Sequence, residues 1–142
     1  MSTLDGGQRA LCATTASWLE ASRMLAFPAL ASAALAALHL AHGGALWTVA
    51  ALVWLLVLAE RYLALRLAFD ARVFDALAQG HIETLADFDR SLRPLGLGRQ
   101  VRGERGLEAR VSGAARLWRM HVAVILLQLA LALPLLLAEL HR

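Results

Sequence analysis

Three apolar runs constrain this chain more than anything else in it. Residues 24–41 read MLAFPALASAALAALHLA, residues 45–59 read ALWTVAALVWLLVLA, and residues 120–138 read MHVAVILLQLALALPLLLA. Crossing the hydrocarbon core of a bilayer takes about 20 apolar helical residues, within a working range of about 17–25. The third run fits, the first lies at the short end, and the second needs its neighbours to reach. A chain of 142 residues that is 59% hydrophobic is also far from the composition of a soluble domain. The expected fold is therefore an all-α integral membrane protein with three transmembrane helices.

Between the first two runs stands His42-Gly43-Gly44. Glycines that accept positive φ end a helix cleanly, so the pair reads as an antiparallel hairpin with a very short turn. That turn carries no Arg, whereas residues 60–119 carry eleven Arg against eight acids, and Arg9 and Arg23 precede the first run. The positive-inside rule then puts the N-terminus and residues 60–119 in the cytoplasm and the turn and C-terminus outside. All 14 basic residues are Arg, with no Lys and no Asn in the chain. This pattern resembles GC-rich bacterial coding and suggests a bacterial inner membrane. A cleaved signal peptide fits poorly, because Asp5 and Glu20 would fall in its basic leader.

Helices in lipid associate through small residues and interhelical hydrogen bonds. Ala29, Ala33, Ala37 and Ala41 recur every four residues, broadened by Ser32 and Ala36, and are expected to form the packing face of the first span. Gln128, near the centre of the third span, is expected to find an interhelical partner such as Ser32 or a backbone carbonyl. Pro28 sits where a proline costs least, near a helix start, and Pro134 is expected to bend the far end of the third span.

The second run does not end where its charges begin. Leu63, Leu67, Ala71, Phe74 and Leu77 continue an apolar stripe at spacings of three and four, and no glycine or proline interrupts before Gly80. One helix from about residue 46 to about residue 79 is predicted, protruding from the membrane. Residues 81–94 read as a short amphipathic helix, and residues 95–106 as a Gly/Arg loop. The helical pattern resumes at Leu107 and leads into the third span. The domain plan is thus an N-terminal segment and hairpin (1–59), a cytosolic helical extension (60–119), and a third span with an outer C-terminus (120–142).

Chemistry is sparse. The chain has no P-loop, dinucleotide fingerprint, HExxH or nucleophile elbow, and Cys12, the only cysteine, allows no internal disulfide. Asp87 and Asp89, two residues apart on a helix, point to different faces and do not make a shared metal site. No catalytic residue or cofactor is expected, so the chain is read as a non-enzyme. The best chemical lead is histidine. His39 and His42 share a helix face, and Glu139 and His141 emerge on the same side of the membrane, a set able to bind zinc or copper. A second lead is Glu60 at a span edge. Counting from the turn suggests two cross-helix ion pairs, Arg23–Glu60 and Glu20–Arg66, that lock the hairpin register.

Arg99, Arg102, Arg105, Arg110, Arg116 and Arg119 form a basic stretch beside the third span. Such clusters attract anionic lipid headgroups or an acidic partner; aromatics are too few for a nucleic-acid surface. The functional expectation is an accessory or scaffolding subunit that recruits or stabilises a protein partner, or another copy of itself, through the cytosolic head. The alternatives are an oligomeric transporter or channel subunit, and a metal-binding or metal-delivery protein using the outer histidines.

Overall fold

The computed structural model describes residues 4–43, 45–82, 84 and 106–141. Four α-helices make up the described chain: α1 (Gly6–Ala21), α2 (Ala26–Ala41), α3 (Trp47–Ala78) and α4 (Leu107–Leu140), with a 3₁₀ turn, Ser22–Leu25, joining α1 to α2. No strand occurs among the described residues. Three stretches are long and apolar enough to cross a membrane: Gly6–Ala41, Trp47–Ala78 and Leu107–Leu140.

Helix α1 has no counterpart in the expectations above, and its signals are local. Asp5 and Gln8 form a reciprocal capping box. The Gln8 amide donates to Asp5 Oδ1 at 2.7 Å, and the Asp5 amide donates to Gln8 Oε1 at 3.0 Å. Two amide groups at the helix start are thereby satisfied. Cys12, Thr15, Ala16 and Leu19 then form its buried stripe at helical spacing. The Thr15 hydroxyl, inside that stripe, donates to the Leu11 carbonyl at 2.8 Å.

Helix α3 runs unbroken for 32 residues, about 48 Å at 1.5 Å per residue, as its uninterrupted pattern predicts. The five stripe residues Leu63, Leu67, Ala71, Phe74 and Leu77 are all buried. Gly80 ends the helix with φ of 76°. The His81 amide donates to the Ala76 carbonyl at 3.0 Å and the Gly80 amide to that of Leu77 at 3.3 Å. This is a Schellman cap, and only glycine adopts that φ without a Cβ penalty. The Arg9 guanidinium lies 3.8 Å from where a Gly80 Cβ would sit, so a cation stands at the negative end of the α3 dipole. At the other reversal Gly43 has φ of 62° and its amide donates to the Leu40 carbonyl at 3.1 Å. Helix α4 starts at Leu107, as expected, and passes through Pro134 without ending.

The chain divides into two compact units. One is Met1–Ala21 with Leu67–Arg116; the other is Ser22–Arg66 with Leu117–Arg142. Helix α1 thus groups with the later half of α3 rather than with the hairpin that follows it in sequence. The expected amphipathic helix at 81–94 and the Gly/Arg loop at 95–106 lie, almost entirely, outside the described residues.

The second unit holds α2, the first part of α3 and most of α4. Its apolar centre is Ala36, Ala50, Val53 and Leu135, flanked by Leu35, Leu46, Val49 and Leu131. The α2 face differs from the expected one. Ala29, Ser32, Ala33, Ala36 and His39 are buried, whereas Ala37 and Ala41 are exposed. The buried positions repeat at spacings of three and four, close to the 3.6-residue turn, and a strict four-residue strip drifts off that face.

Replacing Asp5 with Ala should remove the cap and cost about 1 kcal/mol. Amide hydrogen exchange should accelerate in the first turn of α1 and remain unchanged in α3. Equal protection in both proteins would show that the cap does not hold this helix.

Candidate functional site: polar tiers inside the helical bundle

Within the second unit the buried seam of α4 is His121, Ile125, Ala132 and Leu135, with Gln128 between. The facing seam of α3 is Ala50, Val53, Val57 and Glu60. Polar side chains interrupt these apolar seams at three levels. Each level ties two helices together, and each is built from residues that the seam spacing turns inward.

The first tier is at Glu60, whose side chain is fully buried. His121 Nε2 lies 2.9 Å from Glu60 Oε1, joining α4 to α3. Arg61, the next residue along α3, closes on both carboxylate oxygens. Its Nη2 donates to Oε1 at 2.7 Å and its Nε donates to Oε2. The Arg61 side chain is 42% exposed, so one end of this ion pair is in the bundle and the other at its surface. With the carboxylate facing Nε2, that nitrogen is the donor, and Nδ1 is buried without a hydrogen-bond partner. A carboxylate in such a place is tolerable because Arg61 neutralises it and three donors satisfy it.

The second tier is at Gln128. Its amide nitrogen donates to the Ala29 carbonyl at 2.9 Å and to the Ser32 hydroxyl, both on α2. Ser32 in turn donates to the same Ala29 carbonyl at 2.8 Å. The expected Gln128–Ser32 contact is therefore present, and the amide oxygen Oε1 is left buried without a hydrogen-bond partner.

The third tier lies at the Gly43 end. His39 Nδ1 is 2.9 Å from Glu139 Oε1, and His42 Nδ1 is 3.4 Å from Glu139 Oε2. His39 is buried while His42 is about half exposed. Three of the four residues expected to gather here do so. His141 instead turns its Nδ1 to the Leu137 carbonyl at 2.7 Å, capping its own helix. Among the described residues no group of three or more His, Cys, Asp or Glu is arranged to hold a metal ion. The Nδ1 atoms of both imidazoles face the carboxylate, so the cluster joins α2 to α4, and His39 Nε2 is buried without a hydrogen-bond partner.

Glu60 was expected to pair with Arg23; its partners are His121 and Arg61. The hairpin count considered only α2 opposite α3, but α4 packs in the same bundle and delivers an imidazole at that height. Arg23 is exposed, and Glu20 and Arg66 sit on α1 and α3; each of the three makes polar or electrostatic contacts of its own. Of the basic stretch, Arg110 is half-buried with its Nε enclosed, and Arg116 and Arg119 are exposed. Arg99, Arg102 and Arg105 lie outside the described residues. His121 was the residue missed. The available signal was its place one heptad before Gln128, which puts both on one seam.

No protein-family model matches the chain, and no curated protein or solved structure matches it.

The tiers differ in energetic weight. A neutral interhelical hydrogen bond in a membrane contributes about 0.6 kcal/mol on average and about 1.7 kcal/mol at most. Breaking a buried charged pair costs about 3–5 kcal/mol, because a charge remains uncompensated. Gln128→Leu should therefore lower unfolding stability in detergent only slightly. His121→Leu, which leaves a buried carboxylate one donor short, should lower it several-fold more. Glu60→Leu combined with His121→Leu should recover most of that loss. A double variant no more stable than His121→Leu would reject the pairing.

Proposed function

We propose that this chain is a small multi-pass accessory or scaffolding subunit of a bacterial inner membrane, with its N-terminus cytoplasmic and its C-terminus periplasmic. Its helical head recruits or stabilises a protein partner. The observation that supports this reading is what the bundle does with its polar side chains. Glu60, Gln128 and Glu139 are bonded to groups on neighbouring helices or, for Arg61, next in sequence. Such groups fasten helices together. A transport site instead presents polar groups to a passing substrate near the middle of the membrane. Between the second and third tiers the bundle is closed by Ala36, Ala50, Val53 and Leu135, all fully buried.

The head in this reading is the unit formed by α1, the later half of α3 and the start of α4. Exposed on α3 in that unit are Phe69 and Arg72, a mixed apolar and charged face suited to a protein contact. Purification from native membranes in a gentle detergent, followed by intact-complex mass spectrometry, tests it. One partner at fixed stoichiometry should be retained. Phe69→Ser with Arg72→Glu should release it while leaving the helical content unchanged. A chain that purifies alone, and whose reconstituted vesicles pass ions faster than protein-free vesicles, would overturn the accessory reading in favour of transport.

A further inference from the structure

We infer that the Glu60 end of the bundle is a binding collar for anionic phospholipid headgroups, built from Arg23, Arg61 and Arg119. The inference rests on the membrane reading above. Its first support is register. The Glu60–His121 contact sets residue 60 of α3 level with residue 121 of α4. Gln128 bonds to Ala29 and Ser32, which sets the height of α2 against α4. Seven residues back along α4, from Gln128 to His121, is about 10.5 Å. The same distance back along α2 and then through the steeper 3₁₀ turn, at about 2.0 Å per residue, arrives near Arg23. Arg61 adjoins Glu60, and Arg119 stands two residues, about 3 Å, before His121. Each strand of the bundle thus carries one Arg at one height, and all three are exposed.

The second support is spacing. From His121 to Glu139 along α4 is 18 residues, about 27 Å, close to the ~30 Å of a bilayer's hydrocarbon core. The collar therefore falls where headgroups begin. The surface on its bundle side is apolar: Phe27, Leu58 and Met120 are exposed there, and Tyr62 stands exposed beside Arg61, as expected of an aromatic at a membrane boundary.

The third support is charge and its arrangement. Three guanidinium groups stand at this height, and one of them, Arg61, holds the buried Glu60 carboxylate. Glu60 also acts on geometry. By accepting from both Nε and Nη2 along one edge of the Arg61 guanidinium it fixes the orientation of the remaining N–H donors. A pre-oriented planar fork is well suited to a phosphate, since less side-chain freedom is lost on binding. Arg23 and Arg119 have other contacts as well, and a guanidinium with five donors serves more than one acceptor. A lipid is favoured over a free anion or an acidic peptide because the charged ring and the exposed apolar surface are adjacent, which matches a molecule with both parts.

The test uses the full chain in detergent micelles doped with phosphatidylglycerol or phosphatidylcholine, read by native mass spectrometry and by thermal unfolding. Phosphatidylglycerol should be retained and should raise the melting temperature; phosphatidylcholine should do neither. An Arg near an anionic surface contributes about 1 kcal/mol, about fivefold in affinity. Arg23→Gln with Arg119→Gln, which leaves the Glu60 pair intact, should therefore weaken retention about 25-fold. Arg61→Gln should weaken it further. Equal retention of both lipids, or an unchanged double variant, overturns the collar. So does competition by inorganic phosphate or polyglutamate at matched charge, which identifies a free anion or an acidic protein as the occupant. Alkaline carbonate extraction separates the premises: a chain released from membranes defeats the membrane reading itself, whereas an embedded chain without lipid selectivity defeats the collar alone.

Discussion

The Glu60 carboxylate is the constraint around which the rest of the bundle is arranged. A fully buried acid among leucines and valines is affordable only with compensating donors, and this one has Arg61 on one side and His121 on the other. The Arg61 contact is local, between neighbouring residues of one helix. The His121 contact spans 61 residues of sequence and sets α4 at one height against α3. The height of α2 against α4 is set separately, by Gln128 on Ala29 and Ser32 and by Glu139 on His39.

The three tiers divide the work between strength and selectivity of register. Apolar seams provide little preference for one axial offset over another, because sliding a helix by one turn exchanges one apolar side chain for another. A polar group that must find its partner does discriminate, since a slipped register leaves it unsatisfied in an apolar medium. The charged tier carries the larger penalty and the amide tier the smaller. The clasp at the Gly43 end joins α2 to α4 beside the tight turn, where His39 is buried and His42 is open to the surroundings.

The first unit is organised on different terms. Its buried residues are the apolar stripe of α3 beyond Leu67 with Cys12, Ala16 and Leu19 of α1, and Leu107 and Ala114 of α4. Its ends are stopped by backbone devices: a capping box at Asp5 and a Schellman cap at Gly80 with Arg9 beside it. α3 contributes to both units as one helix, so its stripe is continuous from Ala50 to Leu77 while the composition around it changes from apolar to charged.

Periodicity and punctuation made much of this legible in advance. The unbroken α3, its stop at Gly80, the restart at Leu107 and the buried stripe from Leu63 to Leu77 all follow from local spacing, which depends only on 3.6 residues per turn and on where glycine stands. The Gln128–Ser32 contact and the meeting of His39, His42 and Glu139 were also foreseeable, because a polar group within an apolar helix needs a partner and groups at the same end of a helical bundle lie within reach of one another. What the tertiary structure alone decided was which faces meet. It turned Ala37 and Ala41 outward, because a strip repeating every four residues drifts around a helix of 3.6 residues per turn. It gave Glu60 to His121 rather than Arg23, because the third helix, distant in sequence, arrives at the same height. A one-dimensional pattern specifies how each helix is striped; rotation and axial offset between helices are set by the contacts that bury those stripes.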